Sequence, residues 1–308
     1  MPRSRRRSLK LLIPSALLFV LLCLVAPLLV GLGLRAQRGN EAPLGELGGG
    51  QAWVGIRMRP VTPEAAAVLG LPTTNGALID RIYPTSPAEQ SGLQQFDVII
   101  QINGQPVATV DAVSGVFSGM RPGTPVSITV LRPDPSGRSA AQRREIALVT
   151  GTRPRIGEVR GWTDYRSANV PYQFRYPNTW FIDDVGAPAE PILIAPPTPY
   201  NDVVQFQVSA NVPALDQWYR QVLESAREGA AEVRVENERS VTLANLPGRR
   251  ASLTIIGSAN LEQKVEFVLI RDSATSRGYF IFLSAHPVSY PDLLRNFEDI
   301  LASFSIRG

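Results

Sequence analysis

The sequence predicts an α+β chain with an N-terminal transmembrane helix followed by two globular units. Three observations carry this. An uncharged run extends from Leu11 to Leu34. Residues 52–150 alternate short Val/Ile/Leu-rich runs with Gly, Pro and Asn punctuation. Residues 162–308 combine long β-type runs with two amphipathic helical patterns. A length of 308 residues gives room for two domains at roughly 100–200 residues each, and 44% hydrophobic content lets each bury a core.

The charge is unevenly placed. Residues 1–38 hold Arg3, Arg5, Arg6, Arg7, Lys10, Arg35 and Arg38 and no acidic residue. The formal +4 therefore becomes −3 for everything after residue 38. A mildly acidic body does not fit nucleic acid as the partner, which calls for clustered Lys and Arg on the folded part. Cys23 is the one cysteine, so neither an intramolecular disulfide nor a cysteine metal site can form. No motif calls for a cofactor.

The run from Leu11 to Leu34 exceeds the roughly 20 residues that a helix needs to cross the hydrocarbon core. Pro14 falls in its first turn and Pro27 kinks its interior. Basic residues concentrate before it, which puts the N-terminus in the cytoplasm and the remaining chain outside, with the lipid bilayer as a partner through residues 11–34. The competing reading is a cleaved signal peptide, whose apolar region is usually about 7–15 residues. Gly39–Gln51 is Gly-rich and aperiodic, the composition of a flexible tether.

In the first unit "WVGIRM", "GALIDRIY", "DVIIQING", "PVSITVLR" and "REIALVT" read as strands. Asn103-Gly104 supplies the positive φ of a tight hairpin. "TPEAAAVLG" reads as a helix, with Thr62 as its N-cap, Pro63 at the first helical position and Gly70 at its close. "TVDAVSGVFSG" reads as a second, from Thr109 to Gly119, with Val113 and Phe117 on one face. "SPAEQSGL" adds a single helical turn, capped by Ser86, started by Pro87 and ended by Gly92.

The ordered blocks "WVGI", "VTPEAAAVLGLP", "GALIDRIYPTSPAEQSGL", "DVIIQINGQPV" and "RPGTPVSITVLR" closely resemble an HtrA-type PDZ domain over about 100 residues. The resemblance implies a partly open β-barrel with two helices. It also implies a groove where an extended peptide joins a sheet edge and backbone amides catch its C-terminal carboxylate. The residues themselves agree with this. Gly55 lets the amides of Val54, Gly55 and Ile56 turn together into an anion-binding nest. Trp53 precedes that nest, Ile56, Arg57 and Met58 would offer strand groups, and Val113, Val116 and Phe117 would form an apolar wall. Plain core packing is the competing reading for the helix residues. Phe96 stands where relatives usually carry glycine before Asp97, so the turn is reshaped or the ring projects outward as a contact.

"TGTRPRIGEVRG" reads as a linker, which divides the chain into a flank and anchor (1–38), a tether (39–51), the first unit (52–152), a linker (153–161) and a second unit (162–308). In the second unit "NDVVQFQVSANV", "RRASLTIIG", "QKVEFVLIRD" and "GYFIFLSAHP" read as strands of one antiparallel sheet. "ALDQWYRQVLESARE" and "SYPDLLRNFEDILASFSI" read as helices. With "YQFRYPNTW" and "VTLANLPGRRASLTI", this half is similar to the PsbP/Mog-type α/β sandwich. That likeness implies a binding or assembly module with no ligand residue carried over.

Catalytic sets are sparse. A chymotrypsin-like protease needs Ser, His and a carboxylate, yet His286 in "LSAHPVSY" is the one histidine and no Gly-x-Ser-x-Gly elbow exists. HExxH is absent, so no zinc-protease site is expected. A Ser–Lys dyad would have to use Lys264, the one lysine after the basic flank. The sequence therefore predicts a membrane-anchored, extracytoplasmic adaptor or scaffold without catalysis, binding C-terminal or extended peptide segments. The alternative is a Ser–Lys peptidase or an accessory subunit of a separate serine protease.

Overall fold

The computed structural model describes residues 50–134, 136, 139–167, 170–183, 192–198, 200, 202–257 and 260–307. One expectation requires correction at the outset. The membrane-spanning helix over 11–34 lies outside the described residues, and among the described residues no helix is long and apolar enough to cross a membrane. The single-pass anchor, the bilayer as its partner and the sidedness drawn from them are withdrawn.

The first unit is built on strands β2 (Ile56–Pro60), β3 (Ala77–Ile82), β4 (Val98–Ile102), β6 (Pro125–Arg132) and β7 (Gln142–Val149), hydrogen-bonded in that order. Short β5 (Gln105–Pro106) hairpins onto β4 through the Asn103-Gly104 turn, where both residues take positive φ. Helices α1 (Pro63–Val68), α2 (Pro87–Ser91) and α3 (Val110–Ser118) start where capping chemistry requires. The hydroxyls of Thr62, Ser86 and Thr109 each accept from an amide three residues on. Gly92 ends α2 in the left-handed region. Val54, Ala77, Ile79, Ile99, Val113 and Ile128 close the core.

Two further short strands tie the ends of this unit together: β1 (Ala52–Trp53) pairs with β8 (Gly151–Thr152). The following chain touches both units. The amide of Arg153 donates to the carbonyl of Gln51 at 3.2 Å, whereas Ile156 packs on the second unit's core and the Gly157 carbonyl accepts from Asn296.

The second unit contains a seven-stranded antiparallel sheet. Its order is β11 (Phe181–Asp183), β12 (Ile192–Ala195), β13 (Val203–Ser209), β17 (Arg277–Ala285), β16 (Glu262–Asp272), β15 (Leu246–Ile256) and β14 (Glu232–Leu243). Helix α4 (Leu215–Glu228) seats Trp218, Tyr219 and Val222 on one face, against Leu253, Phe267 and Phe280. Helix α5 (Tyr290–Ser303) covers the other face through Leu293, Phe297 and Ile300. A small sheet of β18 (Ser305–Ile306), β10 (Tyr172–Pro177) and β9 (Trp162–Arg166) packs beside α5. Phe174 and Phe206 stack there with ring centroids 4.0 Å apart. The folded units are thus mixed α and β, with antiparallel sheets.

Candidate functional site

β2 pairs with β3 and ends the sheet, so its other edge faces α3. An unpaired strand edge offers alternating N–H and C=O groups to a further strand. Between β2 and α3 lies a cavity of about 340 Å³, within the size range of ligand pockets. Trp53, Val54, Gly55, Ile56, Arg57 and Met58 line one side of it, and Val110, Ser114, Phe117 and Ser118 the other. Gln51, Ala52, Tyr83 and Arg153 complete the lining from the first unit and the chain that follows it. Pro197, Thr198 and Tyr200 of the second unit also reach it.

The turn at Gly55 is held from inside. The Val54 carbonyl accepts from the Ala88 amide at 2.9 Å, and the Gly55 carbonyl from the Tyr83 amide at 2.9 Å and the Ser86 hydroxyl at 3.4 Å. Gly55 has φ +86°, and a Cβ there would collide with the Ser86 side chain. Glycine is therefore required at this position by both backbone conformation and space.

Helix α3 is rolled differently from the sequence expectation. Val113 is fully buried in the first core, Val116 is exposed, and neither lines the cavity. Phe117 does line it, with Val110, Ser114 and Ser118, a set spaced i, i+4, i+7 and i+8. The reason is the 100° step per residue: Val113 and Val110 point along directions some 60° apart, and the core claims the more central of them.

Charge at the site is specific. Arg57 donates to the buried Asp80 carboxylate at 2.5 and 3.0 Å, and Arg59 reaches the same group at 3.1 Å. Arg153 differs: its Nε is buried with no hydrogen-bond partner among the described residues. Desolvation pushes its guanidinium below the ordinary arginine value, offset in part by the Tyr83 phenol. Arg81 also has a buried Nε without a hydrogen-bond partner among the described residues, but its guanidinium lies 4.6 Å from the Phe181 ring centre and does not line the cavity.

The structure also brings Asp202, His286 and Ser289 together, across 84 and 87 residues. Their geometry is structural. Asp202 accepts from the His286 backbone amide at 2.7 Å and from the buried Ser289 hydroxyl at 2.6 Å. The imidazole Nδ1 accepts from the Val288 amide, and the ring stacks on Tyr200 at 3.9 Å. Burial raises the Asp202 carboxyl above its ordinary value, against the hydrogen bonds it accepts. Lys264 donates to Thr254 and Glu236, each at 2.6 Å. That bond, first among several causes, lowers Glu236 below the usual carboxylate range. No three or more His, Cys, Asp or Glu among the described residues could hold a metal ion.

This arrangement of edge strand, glycine turn and facing helix occurs in the segment that comparison identifies: residues 52–140 match the family model of the PDZ domain. Among curated proteins, a probable periplasmic serine endoprotease, DegP-like, of Rhizobium meliloti is 35% identical over 99 residues. The match covers 32% of this chain and 19% of that protein. The magnetosome formation protease MamE of Magnetospirillum gryphiswaldense is 29% identical over 123 residues, 40% of this chain and 15% of that protein. The chain spans about a fifth of the length of the curated relatives it matches. These findings support a PDZ domain of the HtrA/DegP type and, with it, a peptide-binding module.

Among solved structures, the HtrA-type protease AlgW with decapeptide is 32% identical, with a TM-score of 0.30, over 34% of this chain and 30% of that one. The cyanobacterial PsbP of Synechocystis sp. PCC 6803 is 14% identical, with a TM-score of 0.37, over 48% of this chain and 94% of that one. That likeness is too slight to assign a role to the second unit.

Proposed function

We propose that the protein is a peptide-binding adaptor whose first unit, residues 52–152, adds an extended segment or C-terminus of a partner protein to the edge of β2. The observation that carries this is the cavity between the unpaired β2 edge and α3, within the segment that matches the PDZ domain. The carbonyls of Val54 and Gly55 are taken up inside the fold, which leaves the amides of that turn to serve a carboxylate. Trp53, Val54, Gly55, Ile56, Arg57 and Met58 form the strand side of the site. Phe117 supplies the apolar wall, and Val110 and Ser114 join it. Relatives named as periplasmic proteins support extracytoplasmic partners. Residues 153–161 connect this unit to residues 162–308, a second contact surface.

The reading without catalysis rests on the described clusters. Ser289 is buried against a carboxylate, and Lys264 is engaged by Glu236 and Thr254 rather than by a serine. A Ser–Lys peptidase, or an accessory subunit of a separate protease, is the second reading, which the protease names of the relatives favour.

The test is a library of peptides with free C-termini, panned on the full chain. Ser114 is exposed on the groove side of α3, so Ser114→Trp fills the groove without disturbing the core. Selected peptides should bind the wild type and lose at least about tenfold in affinity to Ser114→Trp, while the melting temperature is unchanged. Undiminished binding would remove the groove from the account. Mass spectrometry of the bound peptide should show no cleavage; cleavage abolished by Lys264→Ala would establish the peptidase instead.

A further inference from the structure

We propose that the groove is a composite site, in which Arg153 pairs with the free C-terminal carboxylate of the bound peptide and the second unit supplies an outer wall through Pro197, Thr198 and Tyr200. This rests on the peptide-binding reading above and extends it to four residues beyond the segment 52–140 that matches the PDZ domain.

Two observations place Arg153. Its amide donates to the Gln51 carbonyl, directly beyond the β1–β8 pairing of Ala52 with Thr152, and it lines the same cavity as Trp53 and Gly55. Its Nε is buried there without a hydrogen-bond partner among the described residues. Buried donors are normally paired, and the half-buried guanidinium has an acceptor position to fill. Arg57 and Arg59, the neighbouring cations, are already engaged by Asp80. A ligand carboxylate in this cavity would give Arg153 both a counter-charge and acceptor oxygens. A peptide C-terminus arriving at the Gly55 turn brings that group into the cavity that Arg153 lines.

The second wall has its own contacts. Tyr200 stacks on His286, the Thr198 amide donates to the Pro196 carbonyl and its hydroxyl to the Tyr200 carbonyl, and Asp202 accepts from the His286 amide. The connection is pinned as well, because Gly157 and Ile156 dock on the second unit. Residues of the two units thus meet a ligand as one surface, and the second unit takes part in choosing the peptide.

The experiment uses the full chain and a peptide selected from the free-C-terminus library, synthesised with an acid and with an amidated C-terminus. Binding is read by fluorescence anisotropy, with melting temperatures as folding controls. Arg153→Gln should weaken the acid peptide by about ten- to a hundredfold, the range of a hydrogen bond to a charged group, and leave the amide within about twofold. Arg153→Lys should recover part of the loss. Tyr200→Ala should weaken both forms by at least about threefold, as removal of an aromatic contact does. Equal losses for acid and amide in Arg153→Gln, or none, would overturn the role of Arg153. Unchanged binding in Tyr200→Ala would overturn the composite wall. Failure of the wild type to select any peptide would overturn the peptide-binding reading itself, and this proposal with it.

Discussion

Phe96 shows how a single residue can satisfy two demands together. Its φ is +73° and its surface is 44% exposed, so the turn is left-handed and the ring projects outward. The turn is fixed around it: the Phe96 amide donates to Ile79 at 2.8 Å, and buried Asp97 accepts from the Gln94 amide and from Arg132. The left-handed conformation costs a non-glycine residue roughly 1–2 kcal/mol. Asparagine tolerates it better, and a β-branched residue worse. Phe96→Val should lower unfolding free energy in urea by about 1–2 kcal/mol, and Phe96→Asn should match or exceed the wild type. Equal stability of all three would show that the turn carries no strain. Gly55 makes the complementary point. Its importance is legible in "WVGI", but the sequence does not reveal that Ser86 occupies the space a side chain would need. Any substitution there disturbs the fold along with the site.

At the scale of elements, packing decides what pattern leaves open. Glycine in β17 lets α4 approach: a Cβ on Gly278 would meet the Trp218 ring at 2.6 Å and Val212 at 2.8 Å. Gly278→Ala should therefore destabilise the second unit by about 1–3 kcal/mol, the cost of overpacking a filled core. Urea unfolding followed by tryptophan fluorescence measures this, and a neutral result would mean that α4 sits further from the sheet. The helices and turns of the first unit were legible because Thr62, Ser86, Pro87, Gly92 and Thr109 are local signals whose chemistry does not depend on distant contacts. The roll of α3 was not, because Val110, Val113, Val116 and Phe117 are all apolar and tertiary packing selects among them. Strand β14 was also missed. It is an edge strand with mostly exposed residues, and the alternation of Val233 and Val235 with Val241 and Leu243 is interrupted by the polar run 236–240, where the register shifts. Asp202 joins His286 and Ser289 only through the fold, with no sequence signal to announce it.

Across the whole molecule, two units with separate cores meet at a groove. Arg81 of β3 reaches Phe181 of β11, and the loop bearing Tyr200 borders the cavity beneath α3. This meeting was not readable from the sequence: residues 53, 153 and 200 are brought together by tertiary structure alone. The central claim is that a peptide strand lies along β2, and amide hydrogen–deuterium exchange of the full chain, with and without a library-selected peptide, tests it most directly. The account predicts slowed exchange in residues 54–59, where β2 gains a hydrogen-bonded neighbour, and in 110–118, where α3 closes the groove. Protection confined to the second unit, with the exchange of 54–59 unchanged, would contradict it.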